Sequence, residues 1–127
     1  MTTVSFSDSI GAGVEVDCLR IGGGAAGLTA ALAASEAGET VLVAERDTTL
    51  SGSTALSSGL VPAAETKAQA GQSIKDSRDT FFDDIMAKNK HSADPDHVRT
   101  IVAQISNTID WLAQTHEIPF HVLDDFL

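Results

Sequence analysis

Tyrosine is missing from the sequence, cysteine and tryptophan occur once each, and proline occurs three times in 127 residues. The lone thiol, Cys18, has no partner for an internal disulfide, and its place in an apolar run reads as that of a small buried hydrophobe. Five Phe and one Trp make an aromatic share of 5%, too little for the β-branched and aromatic surfaces of a β-sandwich. Cations are scarce as well. Eight Lys and Arg stand against eighteen Asp and Glu, for a formal charge of −10. That argues against nucleic acid, whose phosphates require clustered Lys and Arg, and against an anionic membrane surface. The acids are scattered and read as a solvated exterior. No apolar run reaches the length of a transmembrane helix. The first residues carry neither a basic n-region nor an apolar core, so no signal peptide is expected and a cytoplasmic location is. No H-x-x-x-H, Cys/His cluster, G-x-S-x-G or P-loop lysine occurs. His91, His97, His116 and His121 are expected to cap or to be solvated, and no catalytic residue is assigned.

What is present begins with small residues. Alanine dominates an apolar fraction of 43%, which suits helices packed closely on a sheet. The length allows one domain of ordinary size. Residues 1–13 form a polar, loose lead-in, with Phe6 or Ile10 as a short apolar contact. Residues 14–21 read as a first strand, apolar enough to be covered on both faces. Arg20 interrupts that pattern and must find a partner or an edge. Residues 25–37 are a strong helix former, with Gly38 as its C′ glycine. Residues 40–44 give a second strand ending at Glu45. The order strand–turn–helix–strand is a βαβ unit with a right-handed crossover.

The turn within that unit carries the chemistry. Gly22, Gly24 and Gly27 stand in the G-x-G-x-x-G register. In this geometry the first glycine permits the tight turn, the second admits a pyrophosphate to the backbone, and the third lets the helix settle on the strand. The helix N-terminus has unpaired N–H groups and a partial positive charge, which suit a diphosphate. Glu45 follows Gly27 by 18 residues, close to the spacing at which an acid meets a ribose hydroxyl. The alternative for Glu45 is an ordinary exposed strand end.

Residues 47–64 are a long connection rich in Ser, Thr and Gly, and a loop of this length is functional or disordered. Its regularly placed Leu50, Ala55, Leu56, Leu60 and Val61 speak against a plain linker. A short helix or turn is expected over 63–71 and a helix from 76–79 to about 90. Asp94 and Pro95 announce another helix as N-cap and N1. Val98, Ile101, Val102, Ile105, Ile109 and Leu112 mark its apolar stripe to about residue 115. Residues 118–123 read as extended chain.

Taken in order, the run from Val16 to Leu28, the strand Val41-Leu42-Val43-Ala44-Glu45-Arg46 and the segment Ser51-Gly52-Ser53-Thr54-Ala55-Leu56-Ser57-Ser58-Gly59 resemble the FAD-binding region of flavoproteins related to fumarate reductase, succinate dehydrogenase and 3-ketosteroid Δ1-dehydrogenase. The serine-rich segment is the specific part. The resemblance implies a Rossmann-like βαβ half-domain of the glutathione-reductase-like FAD fold over 14–127, followed by helices and incomplete without a partner chain. It implies Gly22, Gly24, Ala25, Ala26 and Gly27 at the FAD pyrophosphate, Glu45 at the ribose and Arg46 beside the adenine. Ser51, Gly52, Ser53 and Thr54 would follow the diphosphate and ribityl chain, and Ser57, Ser58 and Gly59 the flavin ring. A serine stands where succinate dehydrogenases carry a flavin-linking histidine, so non-covalent FAD is implied. Arg20 and Ala44 depart from a family more often aliphatic there.

Relatives of this kind are several times longer, with a substrate-binding cap and the proton-transferring residue in the part not represented. The resemblance therefore implies an FAD-binding small subunit, or fragment, of a dehydrogenase or reductase acting on CH–CH bonds next to a carbonyl. A larger partner would complete the domain, and the substrate would be a steroid, another enone or an unsaturated acid. The competing readings are a non-enzymatic dinucleotide-binding or regulatory module and a structural fragment.

Overall fold

The computed structural model describes residues 13–123. The lead-in expected over 1–13 and the acidic ending at 124–127 lie outside the described residues, apart from Gly13. The chain forms two compact units, dividing between Leu60 and Val61.

The first unit is built on two parallel strands, β1 (Cys18–Ile21) and β2 (Val41–Ala44), joined by helix α1 (Ala25–Glu36). Cys18 pairs with Val41 and Ile21 with Ala44. Parallel strands have no hairpin turn to set their register, and here a clasp does it. The Asp17 carboxylate accepts from the Thr40 N–H at 2.8 Å and from its hydroxyl at 2.7 Å. The Asp17 N–H in turn donates to Thr40. At the other end Gly22 N–H donates to the Ala44 carbonyl at 2.8 Å.

β1 is shorter than the expected 14–21, and it is not covered on both faces. Cys18, Arg20, Val41 and Val43 are half-buried on one face, while Leu19, Ile21, Leu42 and Ala44 are exposed on the other. The apolar run that suggested double coverage therefore leaves one face open among the described residues. α1 ends as expected: Ala37 is its C-cap and Gly38 follows in the left-handed region. The connection after β2 is not structureless, because Ser53–Leu56 turn into the one-turn helix α2.

The second unit holds α3 (Lys67–Gly71), α4 (Arg78–Lys88) and α5 (Pro95–Thr115). Thr66 and Gln69 close a capping box on α3, satisfying N–H groups that have no acceptor within the helix. Ser77 caps α4. Asp94 caps α5 by accepting from Asp96 N–H at 2.8 Å, with Pro95 next to it as the sequence indicates. The core of this unit joins Met86, Val98 and Val102, flanked by Phe81, Phe82 and Ile85. Arg99 lies over the Phe82 ring at 4.3 Å, a cation–π contact that also shields the ring.

Two details depart from the stripe. Ile101 is exposed, and Ser106 is buried in the row between Val102 and Ile109. The Ser106 hydroxyl faces Arg78 Nη2 at 3.5 Å, while Arg78 Nε pairs with Glu65 at 3.1 Å. Glu65 has a positive φ of 60°, and its carboxylate also accepts from the Arg78 backbone N–H at 3.3 Å. Residues 118–123 form no regular element.

Candidate functional site

The site assembles where the two parallel strands end. Gly22 turns the chain out of β1 with φ +100°, a region closed to most side chains. Gly27, in the first turn of α1, faces back onto this turn. A Cβ there would collide with the Gly22 carbonyl oxygen, so helix and strand approach as closely as they do only because the side chain is missing. These are the first and third roles that the glycine register predicts. The middle of the turn differs. Gly23, not Gly24, is buried and crowded, and a Cβ on it would meet Leu50 and stand 3.1 Å from Glu45 Oε2.

Glu45 does more than end β2. Its Oε2 accepts from Gly23 N–H at 2.7 Å, and its Oε1 accepts from Asp47 N–H at 3.2 Å. The carboxylate thus ties the glycine turn to the start of the long connection. An ionised carboxylate has about four acceptor positions, so it retains capacity for a further donor. The Gly23 N–H, and then the Asp47 N–H, hold its carboxyl below the usual glutamate range. Glu45 follows the last residue of β2, as the strand reading has it, but no spacing rule announced its bond to Gly23.

The connection folds back over the turn. Ala25 N–H, at the start of α1, donates to Thr54 Oγ1 at 3.0 Å. A cleft of about 210 Å³ opens between these segments, lined by Gly23, Gly24, Leu28, Leu50, Gly52, Thr54 and Ala55. Of the residues expected at a diphosphate, the structure brings Gly24, Gly52 and Thr54 to this cleft. Gly22, Ala25, Ala26 and Gly27 are adjacent in the turn and first helical turn.

Other expected residues are engaged elsewhere. Arg46 is exposed and forms a two-bond pair with Asp47, at 2.9 and 3.1 Å. The Ser51 hydroxyl donates to Asp47 Oδ2 at 2.8 Å. These two contacts, Arg46 foremost, hold the Asp47 carboxyl low. The Ser57 hydroxyl donates to the Thr54 carbonyl and accepts from Gly59 N–H, closing a local turn beyond α2. Ser53 begins α2, and Ser58 and Gly59 follow it on the surface. No group of His, Cys, Asp or Glu among the described residues is arranged to hold a metal. Among them, too, no helix is long and apolar enough to cross a membrane.

A pH dependence follows from these carboxylates. Asp17, Glu45 and Asp47 are all depressed by bonds made only in the folded chain. Their contribution is complete above the unfolded carboxylate range and is lost as pH falls below about 4. The melting temperature should therefore drop more steeply below that pH for wild type than for Glu45→Gln, and parallel curves would count against this assignment.

Two parallel strands joined through a helix, with a glycine turn and a carboxylate at their carboxyl ends, define a mixed α/β unit. The match to known proteins narrows the class further. The FAD binding domain family matches residues 17–125, and the chain belongs to that family. It is 34% identical over 100 residues to a fumarate reductase of Schizosaccharomyces pombe, covering 79% of this chain and 20% of that protein. It is 34% identical to a urocanate reductase of Eggerthella lenta, covering 77% of this chain and 16% of the relative. Among solved structures, the open conformation of a flavocytochrome c3 fumarate reductase superposes with a TM-score of 0.69 at 29% identity. It covers 76% of this chain and 17% of that one. The chain thus spans about a fifth or less of the length of these relatives.

FAD is the cofactor of this family, and the site fits its central part. The first N–H groups of α1 lack acceptors within the helix, and Gly24, at its N-cap, lines the cleft beside Gly52 and Thr54.

Proposed function

We propose that this chain is the N-terminal FAD-binding part of a flavin-dependent reductase of α,β-unsaturated carboxylic acids. Fumarate, urocanate and acrylate, named in three relatives, share a C=C bond beside a carboxylate, which favours such an acid over a steroid or other enone. The substrate cap and the group that exchanges the substrate proton belong to the remainder of the flavoprotein, on a companion subunit or on the same polypeptide. The observation that carries the reading is the Gly22–Gly27 turn tied to Glu45 within a match that spans 17–125.

In this reading Gly22, Gly24, Ala25, Ala26 and Gly27 receive the pyrophosphate on the positive end of α1. Thr54 yields its hydroxyl from Ala25 and turns it to a phosphate oxygen. Glu45, already oriented by two backbone N–H groups, accepts from the adenosine ribose. Arg46 flanks the adenine, Ser51, Gly52 and Ser53 run beside the diphosphate and ribityl chain, and Ser57, Ser58 and Gly59 approach the ring. With serine at 53 the flavin is held without a covalent bond. When bound, FAD supplies hydride exchange at the flavin ring, and the chain's own residues orient it and shield its diphosphate.

The test is purification of the native protein under mild conditions, with an absorbance spectrum, intact masses, and fumarate, urocanate and acrylate reduction by a reduced dye. A yellow protein whose flavin is released by acid and that reduces at least one of these acids is expected. A colourless protein that takes up ADP and FAD equally would replace this reading with a nucleotide-binding module.

A further inference from the structure

The face of the sheet beneath α1 contains one residue that nothing above explains. Arg20 sits between Leu19 and Ile21 and pairs in register with Val43. It is half-buried, and its Nε is buried with no hydrogen-bond partner among the described residues. Burying one of its donors without an acceptor is unfavourable. Around it the unit is open. β2 occupies one edge of β1, and no described strand occupies the other. On the opposite face Leu19, Ile21 and Leu42 are 52%, 86% and 41% exposed. A two-stranded parallel sheet with one bare apolar face is marginal by itself, and at least four-fifths of a relative's length lies outside the part this chain matches.

We propose that Arg20 anchors the remainder of the flavin-binding domain. The remainder adds a strand along the free edge of β1, covers Leu19, Ile21 and Leu42, and sets an Asp or Glu carboxylate against the Arg20 guanidinium. The planar fork of arginine matches a carboxylate by two parallel bonds, so this side chain selects an acidic neighbour where an aliphatic residue would accept any apolar strand. The inference rests on the flavin-binding reading.

The experiment uses the native flavin-loaded protein with its full complement of chain, as wild type, Arg20→Leu and Arg20→Lys. If Arg20 is paired, Arg20→Leu releases flavin at least tenfold faster on dilution and melts at lower temperature, with Arg20→Lys between the two. If no acceptor reaches it, Arg20→Leu removes an unfavourable cation, and the protein melts at the same or a higher temperature with unchanged flavin release. That result overturns the proposal. Should Arg20→Leu fail to accumulate, the wild-type guanidinium resonances decide, assigned by their absence in Arg20→Lys. Separate, slowly rotating Nη protons signify the two-bond pair, and a single averaged signal overturns it. A wild type that holds no flavin overturns the flavin-binding reading as well, and is recognised before any variant is made.

Discussion

Gly27→Ala is expected to abolish flavin retention and to destabilise the first unit by about 3 kcal/mol or more, at the upper end of overpacking costs. The added methyl would stand inside contact distance of the Gly22 carbonyl oxygen. A backbone atom cannot swing aside as a flexible side chain can. Relief therefore requires α1 to lift from the turn or the turn to open, and either displaces the N–H groups of Gly24, Ala25 and Ala26 together. Displacing those donors should weaken FAD binding by roughly a hundredfold or more, equivalent to about 3 kcal/mol of binding free energy. Titration of the flavin-stripped protein with FAD, followed by fluorescence, measures it. Gly52→Ala is the control for stability, since its φ is −71° and nothing lies within 4 Å of the added atom. It should melt within about 1 °C of wild type, in keeping with the small effects of unstrained exposed substitutions. Equal FAD affinity in Gly27→Ala and wild type would refute the close-approach role.

The second large effect belongs to Glu45. Glu45→Ala leaves the buried Gly23 N–H without its acceptor and cuts the tie between the turn and Asp47. Hydrogen bonds to charged groups are stronger than neutral ones, so FAD affinity should fall roughly tenfold or more. Glu45→Gln is not a conservative change here. Both carboxylate oxygens accept from backbone N–H groups, and an amide can present an oxygen to only one of them. Its NH₂ must face the other, donor against donor. Glu45→Gln should therefore lose nearly as much FAD affinity as Glu45→Ala in the same titration. A glutamine variant that binds like wild type would mean that the carboxylate serves only the ribose hydroxyls, for which an amide oxygen suffices.

The local signals of the chain were legible. Asp94 and Pro95 start α5 where capping chemistry places the start, Gly38 ends α1, and Gly22 and Gly27 take the positions their register requires. Each is decided within one turn of backbone. The Ser51–Gly59 segment pointed to the family that the FAD binding domain match bears out. What escaped depends on atoms distant in sequence. An alternating burial pattern hidden in an apolar run left one face of β1 and β2 bare, because coverage depends on neighbours and not on composition. The Glu45 bond to Gly23, the Thr54 bond to Ala25 and the Glu65 bond to the Arg78 N–H span 22, 29 and 13 residues. Ser51 and Ser57 read as free donors along a cofactor, yet both spend their hydroxyls within a few residues. Short polar side chains satisfy themselves locally when they can.

The clasp between Asp17 and Thr40 bears on which residue of the β2 end reaches the glycine turn. It joins the amino ends of β1 and β2, as far along the strands as the unit allows from the glycine turn. Were β2 to slide by one position, every side chain would exchange faces, and Arg46 would arrive where Glu45 stands. The Gly23 N–H would then face a cation instead of its acceptor. Two short polar residues at the far ends of the strands thereby keep Glu45, and not Arg46, beside the glycine turn.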